Sequence, residues 1–202
     1  MTFQPAGNYY DKYRTRNPLA RALMSGFLGA FDELLSECID VGSALEVGCG
    51  EGELTIRLAA RCGRVAAFDV APEIVEEARR RLTKARVNAD LRVDSIYNLD
   101  PERDAADLVV CCEVMEHLDD PKRALDKLHS ACRKYLLTSV PREPLWRALN
   151  VMRGKYVASF GNTPGHVQHW SRAKFLDLLQ TRFHVICARS PLPWTMALCE
   201  PL

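Results

Sequence analysis

The sequence predicts an α/β fold: a Rossmann-like, doubly wound seven-stranded sheet, mostly parallel, with an antiparallel C-terminal hairpin and helices on both faces. Three observations carry this expectation. Short apolar runs of strand length alternate with stretches whose apolar residues recur at helical spacing, the pattern of a parallel sheet covered by helices. The run 107–112 is nearly continuously apolar after Asp107, as a strand buried on both faces should be. Near the C-terminus, two strand-like runs separated by Pro191 and Pro193 read as a closing antiparallel pair.

The elements follow in order. Residues 43–47 form the first strand and 53–61 its helix. Residues 64–68 form the second strand, followed by a helix through Ile74, Val75, Ala78 and Leu82. Pro72 sits near the start of that helix, where a missing N–H does little harm. The third strand is 89–93 and the fourth 107–112, followed by a helix over 121–132 and a fifth strand over 135–140. A helix over 173–179 precedes the last two strands, 183–188 and 194–199. Two regions lie outside this rhythm. The first 40 residues read as a helical lid, with Tyr9, Tyr10 and Tyr13 at its start, and 141–170 as an acceptor-side insertion. Long irregular connections within compact domains are usually binding loops or lids. The length suits a single domain over residues 1–202.

Composition narrows the classes. Lys and Arg total 27 against 26 Asp and Glu, so the chain lacks the basic excess that phosphate neutralisation demands, and nucleic acid is disfavoured as a partner. The first ten residues have neither a basic start nor an apolar run. No stretch approaches the ~20 apolar residues of a membrane span. Eight cysteines with no Cys-x-x-Cys pair give no support for a zinc ribbon or a thioredoxin-type site. They read as buried, reduced thiols, and the expectation is a cytoplasmic protein.

Between the first strand and its helix lies Leu45-Glu46-Val47-Gly48-Cys49-Gly50-Glu51-Gly52. Strand, glycine turn, helix is the geometry that brings a cofactor against exposed backbone N–H groups. A dinucleotide fingerprint wants glycine or alanine three positions after Gly50; Glu53 stands there, and Glu51 and Glu53 would repel a pyrophosphate. They are compatible with a phosphate-free cofactor bearing a sulfonium cation. Glu46 offers a carboxylate to the cationic methionyl end of such a cofactor, with Gly48, Cys49 and Gly50 forming the turn. Asp69, followed by Val70, ends the second strand where an acidic group can chelate ribose hydroxyls. Asp94, with Ser95 and Ile96, ends the third strand where an adenine ring would rest. One terminal Asp is most often a helix cap, but three acidic residues at three successive strand ends are harder to explain that way.

With the later run Glu113-Val114-Met115-Glu116-His117-Leu118, these residues resemble class I S-adenosylmethionine-dependent methyltransferases, of the broad group that includes ubiquinone-biosynthesis enzymes. The resemblance extends from about Val41 to the end of the chain. It implies S-adenosyl-L-methionine as cofactor, Glu113 at the border of the methionyl pocket, a small-molecule methyl acceptor, and in-line transfer to a hydroxyl. Glu113, Glu116 and His117 share one face if a helical turn begins at the strand end. Together with His166 or His169 they make a half-site for a divalent metal such as Mg or Mn. In the ubiquinone-pathway enzymes, and in those that methylate the 2′-hydroxyl at small-RNA 3′ ends, a Glu-x-x-Glu-His run plus a later His is associated with a metal that orients the acceptor. The same run also occurs in relatives without a metal. In that case His117, His166 or His169 is the candidate general base.

Within the insertion, Trp146, Met152, Tyr156 and Phe160 are interleaved with Arg142, Arg147, Arg153 and Lys155. That mixture suits a planar or anionic acceptor, and equally a hairpin whose aromatics fill a small core of its own. Three alternatives stay open: 2′-O-methylation of an RNA 3′ end, a non-catalytic cofactor-binding protein, and a nicotinamide dehydrogenase, against which Glu53 counts. Methylation of an exocyclic base amine is disfavoured, because Cys112-Glu113-Val114-Met115 stands where such enzymes carry an Asp- or Asn-Pro-Pro-aromatic run.

Overall fold

A computed structural model describes residues 17–152, 156 and 159–202. Tyr9, Tyr10, Tyr13, Arg153 and Lys155 lie outside the described residues. The strands are Ser43–Val47 (β1), Arg64–Asp69 (β2), Asp90–Val93 (β3), Ala106–Cys112 (β4), Cys132–Pro141 (β5), Phe183–Arg189 (β6) and Trp194–Pro201 (β7). The helices are Pro18–Ser36 (α1), Glu53–Ala59 (α2), Pro72–Ala85 (α3), Pro101–Asp104 (α4), Pro121–Ala131 (α5), Leu145–Met152 (α6) and Arg172–Leu179 (α7). The strands form one seven-stranded sheet in the order β3-β2-β1-β4-β5-β7-β6, parallel except for β7, which runs antiparallel to both β5 and β6. The expected architecture is the observed one.

The strand order reverses between β1 and β4. Crossovers from β1 lead outward to β2 and β3, and β4 leads the other way to β5. A crevice opens at the carboxyl ends of strands where the order switches, and the candidate site lies there. On β4 the alternation of a strand is explicit. Leu108, Val110 and Cys112 join one apolar cluster while Val109 and Cys111 join the other, which is why the run is apolar throughout.

Two boundaries differ instructively from the sequence expectation. β5 starts at Cys132, because α5 passes directly into the strand and Cys132 already pairs with Ala106. The exposed pair Arg133 and Lys134 hides this in the sequence; the Lys134 ammonium donates to the Asp40 carbonyl at 2.6 Å. The second difference is α1. Asn17 caps it by accepting from the amides of Leu19 and Ala20, and Pro18 occupies its first turn. Phe27, Phe31 and Leu34 on this helix are almost fully buried, in one cluster with Leu58, Val110 and Met196. The Phe27 ring meets Trp194 edge-on at 5.1 Å. Residues 18–36 of the expected lid are therefore a fixed part of the core.

The insertion is tied down at several points. Asn150, buried, donates to the Gly161 carbonyl at 2.9 Å and to Thr163 Oγ1 at 3.2 Å, and Trp146 Nε1 donates to the same Thr163 oxygen at 2.9 Å. Trp146 packs inward, whereas Met152 and Phe160 are 80% and 82% exposed, so the aromatics do not fill a core of the insertion's own. All eight cysteines are free thiols and seven are buried. Among the described residues no helix is long and apolar enough to cross a membrane.

Candidate active site at the carboxyl edge

The chain leaves β1 through three glycines with left-handed backbone: Gly48 at φ +72°, Gly50 at +52° and Gly52 at +81°. L side chains rarely adopt this region. Space is also short. A Cβ on Gly48 would overlap a γ-methyl of Val114, and one on Gly52 would lie 2.6 Å from Leu82 Cδ1. The amides of Gly48 and Cys49 donate to the Phe68 carbonyl, each at 2.9 Å. Asp69 then fastens the turn. Its Oδ2 accepts from the Gly50 amide at 3.0 Å and its Oδ1 from the Ala71 amide at 3.2 Å, joining the β1 turn to the approach to α3. Val70, beside it, is about half exposed.

Glu46 is 2% exposed and accepts a 2.5 Å hydrogen bond from Thr55 Oγ1 on α2. Burial pushes its carboxyl up to about 8 from 4.5, with the negative charges of Asp69 and Glu53 adding to the rise and the Thr55 bond opposing it. The sign of the linkage follows. Between 4.5 and about 8 the unfolded chain has released this proton while the folded chain keeps it, so stability falls as pH rises through that window. Glu46→Gln is expected to flatten this decline, read from denaturant midpoints at about pH 5 and about pH 9. An unchanged decline would place the buried proton elsewhere.

The two glutamates flanking Gly52 act differently from expectation. Arg81, only 10% exposed, reaches Glu51 at 2.5 Å and Glu53 at 3.1 Å, and Arg57 lies 3.6 Å from Glu53. Their charge is compensated locally, so they do not by themselves repel a phosphate from the turn.

Asp94 likewise has other partners. Its Oδ2 accepts from Arg92 at 3.1 Å and Arg103 at 2.9 Å; its Oδ1 accepts from the Ser95 amide at 2.8 Å and Asn98 at 3.0 Å. Burial disfavours its ionisation, but the bonds from Asn98, Ser95 and Arg92 and the charge of Arg103 outweigh it and hold the carboxyl below its usual range. Arg92 and Arg103 are anchored in turn on the buried Asp104. Four donors fill the acceptor positions of a carboxylate, so an adenine amino group would have to displace one of them. Of its neighbours, Ser95 is half-buried and Ile96 buried.

At the end of β4 the expected shared face is not formed. Glu113 has a left-handed backbone, φ +59°, rare and costly for a residue with a side chain. Its amide donates to the Ser139 carbonyl at 3.1 Å, its Oε1 accepts from Ser139 Oγ at 3.1 Å, and its Oε2 from Trp194 Nε1 at 2.6 Å. Glu113 thus faces β5 and β7. The helical turn that follows, a 3-10 turn over Met115–His117, begins too late to include it.

What does converge is Glu116, His117 and His166, each offering one ligand atom within 4.8 Å of the others. Glu116 and His166 are buried. His117 Nδ1 lies 2.9 Å from the Gly165 carbonyl; it donates there, which leaves Nε2 as the lone-pair nitrogen on the side of Glu116, 4.0 Å from Oε1. The amides of Val167 and Gln168 donate to the Glu116 carbonyl at 2.9 and 3.0 Å, strapping the end of the insertion onto the turn. The His166 ring lies edge-on to His117 at 4.9 Å and stacks on Trp146 at 5.8 Å. His169 is outside this group, exposed, with Nδ1 3.7 Å from Glu143 Oε1.

Sequence reasoning missed the residues that hold these groups: Thr55 under Glu46, Trp194 on Glu113, Thr163 on Trp146, and Glu143. Only Glu143 carries a signal, an acidic residue between two prolines at the end of a strand.

A mostly parallel sheet of this order, with a glycine turn after β1, an acid at the end of β2 and an antiparallel C-terminal pair, is the Rossmann-like fold of methyltransferases. Residues 44–135 match the family model described as a methyltransferase domain. The chain is 36% identical over 132 residues to ubiquinone biosynthesis O-methyltransferase from Xanthomonas oryzae pv. oryzae, an alignment covering 62% of this chain and 55% of that protein. It therefore spans about half the length of the curated relatives it matches. Among solved structures it is similar to magnesium protoporphyrin IX methyltransferase from Synechocystis with bound S-adenosylhomocysteine, with TM-score 0.73, 17% identity, and coverage of 95% of this chain and 91% of that one. It is also similar to the N-methyltransferase NodS from Bradyrhizobium japonicum in complex with S-adenosylhomocysteine, with TM-score 0.68, 20% identity, and coverage of 97% and 93%.

Proposed function

We propose that the chain transfers a methyl group from S-adenosylmethionine to a hydroxyl of a small molecule, and that Glu116, His117 and His166 hold a divalent ion beside the acceptor. One observation carries this reading. The glycine turn leaves the carboxyl end of β1, Glu116 and His117 follow the carboxyl end of the adjacent β4, whose Val110 pairs with Glu46, and His166 joins them from the insertion.

The residues fit the cofactor. Glu46 is a buried carboxyl beneath the turn, and a cationic ligand beside it supplies the positive charge that its ionised form needs. Asp69 spends one acceptor position of each oxygen on the turn, and a carboxylate oxygen takes two donors, which suits ribose hydroxyls. Gly48, Cys49 and Gly50 supply close backbone approach, Val70, Ser95 and Ile96 the adenine side, and Glu113 the methionyl border. Asp94 serves the adenine side as an anchor of that loop. The cofactor, when bound, supplies a methyl group on a sulfonium sulfur.

The donor set also fits an ion. Two imidazoles and one carboxylate suit Mn or another transition ion better than Mg, which prefers oxygen. Such an ion supplies Lewis acidity that lowers the pKa of a hydroxyl. The chain's own residues orient the ligands: Gly165 sets the tautomer of His117, and Trp146 the plane of His166. Eight free thiols accord with a reducing, cytoplasmic setting.

The test is labelled-methyl transfer to phenols, thiols, amines and RNA 3′ ends, with and without chelator. Incorporation into a hydroxyl of a small molecule, lost with chelator and restored by Mn, is expected. Chelator-insensitive turnover would remove the ion, and incorporation confined to RNA ends would replace the acceptor.

A further inference from the structure

We infer that Glu143 and His169 form a second carboxylate–imidazole pair on the acceptor side, in which His169 takes the proton of the acceptor hydroxyl and Glu143 is its positioning residue. This rests on the reading above.

The backbone builds the pair from two directions. Glu143 lies just beyond the end of β5, and its amide donates to the Trp170 carbonyl at 2.8 Å, next to a parallel bridge between Arg142 and Trp170. His169 immediately precedes Trp170, so this short ladder aligns the two side chains. Glu143 Oε2 accepts from the Arg147 amide at the start of α6, at 3.3 Å. Oε1 is buried, makes no hydrogen bond among the described residues, and lies 3.7 Å from His169 Nδ1. A buried carboxylate oxygen left in that state is costly, and the group within reach is the imidazole. In catalytic sites such contacts often shorten only when substrate is bound. With Nδ1 on the side of Glu143, Nε2 of the partly exposed ring is the nitrogen left for the acceptor.

The location fits the role. His169 lies three positions after His166, so their Cα atoms lie at most about 11 Å apart, within reach of one small acceptor. The segment between is strapped to Glu116 by two amides. As the acceptor oxygen takes the methyl group and the sulfonium becomes a neutral thioether, its proton passes to His169 Nε2, and the imidazolium so formed faces the Glu143 carboxylate. Arg147 and, once protonated, His169 are the cations facing Glu143; burial raises its carboxyl against the Arg147 amide and their charges.

Glu143→Gln keeps the shape and removes the charge. It is expected to lower kcat by about 10–100-fold with KM for S-adenosylmethionine unchanged, and Glu143→Asp to recover part of the loss. His169→Ala is expected to lose about 10²–10⁴-fold, and the double variant no more than His169→Ala alone. Wild-type kcat in Glu143→Gln, or additive losses, would overturn the pair. A readout free of turnover is the carboxyl-carbon NMR titration of Glu143, which should move upward in His169→Gln; an unchanged titration also overturns it. Absence of methyl transfer by the wild-type chain to every acceptor defeats the reading above instead, and the titration then decides the pair by itself.

Discussion

Gly48→Ala is expected to cost at least about 100-fold in affinity for S-adenosylhomocysteine while the sheet stays folded. Two effects combine. A left-handed backbone at φ +72° costs a side-chain-bearing residue on the order of 1–3 kcal/mol. The new Cβ also overlaps a γ-methyl of Val114, on the chain leaving β4. Relief of either requires the turn to move, and the turn carries the Gly50 amide that Asp69 holds. The steric share can be separated. Val114→Ala in the same chain removes the offending methyl, and the double variant should recover part of the lost affinity but not all of it. Titration calorimetry reads both. Wild-type affinity in Gly48→Ala would mean that the cofactor does not approach this turn.

Glu116→Gln should give the second large effect, on turnover rather than cofactor binding. It changes one ligand atom of the cluster and leaves the carbonyl that accepts from Val167 and Gln168 in place. Loss of an ion worth several kcal/mol in the transition state corresponds to on the order of 10²–10³-fold in rate. Methyl transfer should fall by that amount, and the residual activity should no longer respond to chelator, while S-adenosylhomocysteine affinity is retained. His166→Ala should behave alike. Residual activity that chelator still suppresses would move the ion to other residues.

The fold was legible because its signals are local. Apolar period and length locate every strand, and the two-faced burial of β4 is written in its unbroken apolar run. The β5 start was not legible, since Arg133 and Lys134 read as a loop while Cys132 and Tyr135 on either side of them already pair with β4. In the site, the glycine turn and the acid at the end of β2 could be found by spacing, because backbone geometry demands glycine there. The cluster of Glu116, His117 and His166 was half legible. The run Glu113 to His117 marks the place, but the left-handed backbone of Glu113 and its bonds to Ser139 and Trp194 turn it toward other strands. Charges misled for the same reason at Glu51, Glu53 and Asp94, whose arginine partners lie up to 30 residues away in sequence. Glu143 and His169, 26 positions apart, are brought together where Arg142 bridges Trp170.

Titration calorimetry of the wild-type chain with S-adenosylhomocysteine and, separately, with NADH separates the cofactor classes in one measurement. Saturable binding of S-adenosylhomocysteine, weakened in Asp69→Ala, and no binding of NADH is the expected result. Binding of NADH without S-adenosylhomocysteine would contradict the assignment of the glycine turn to a methyl donor, and with it the proposed reaction.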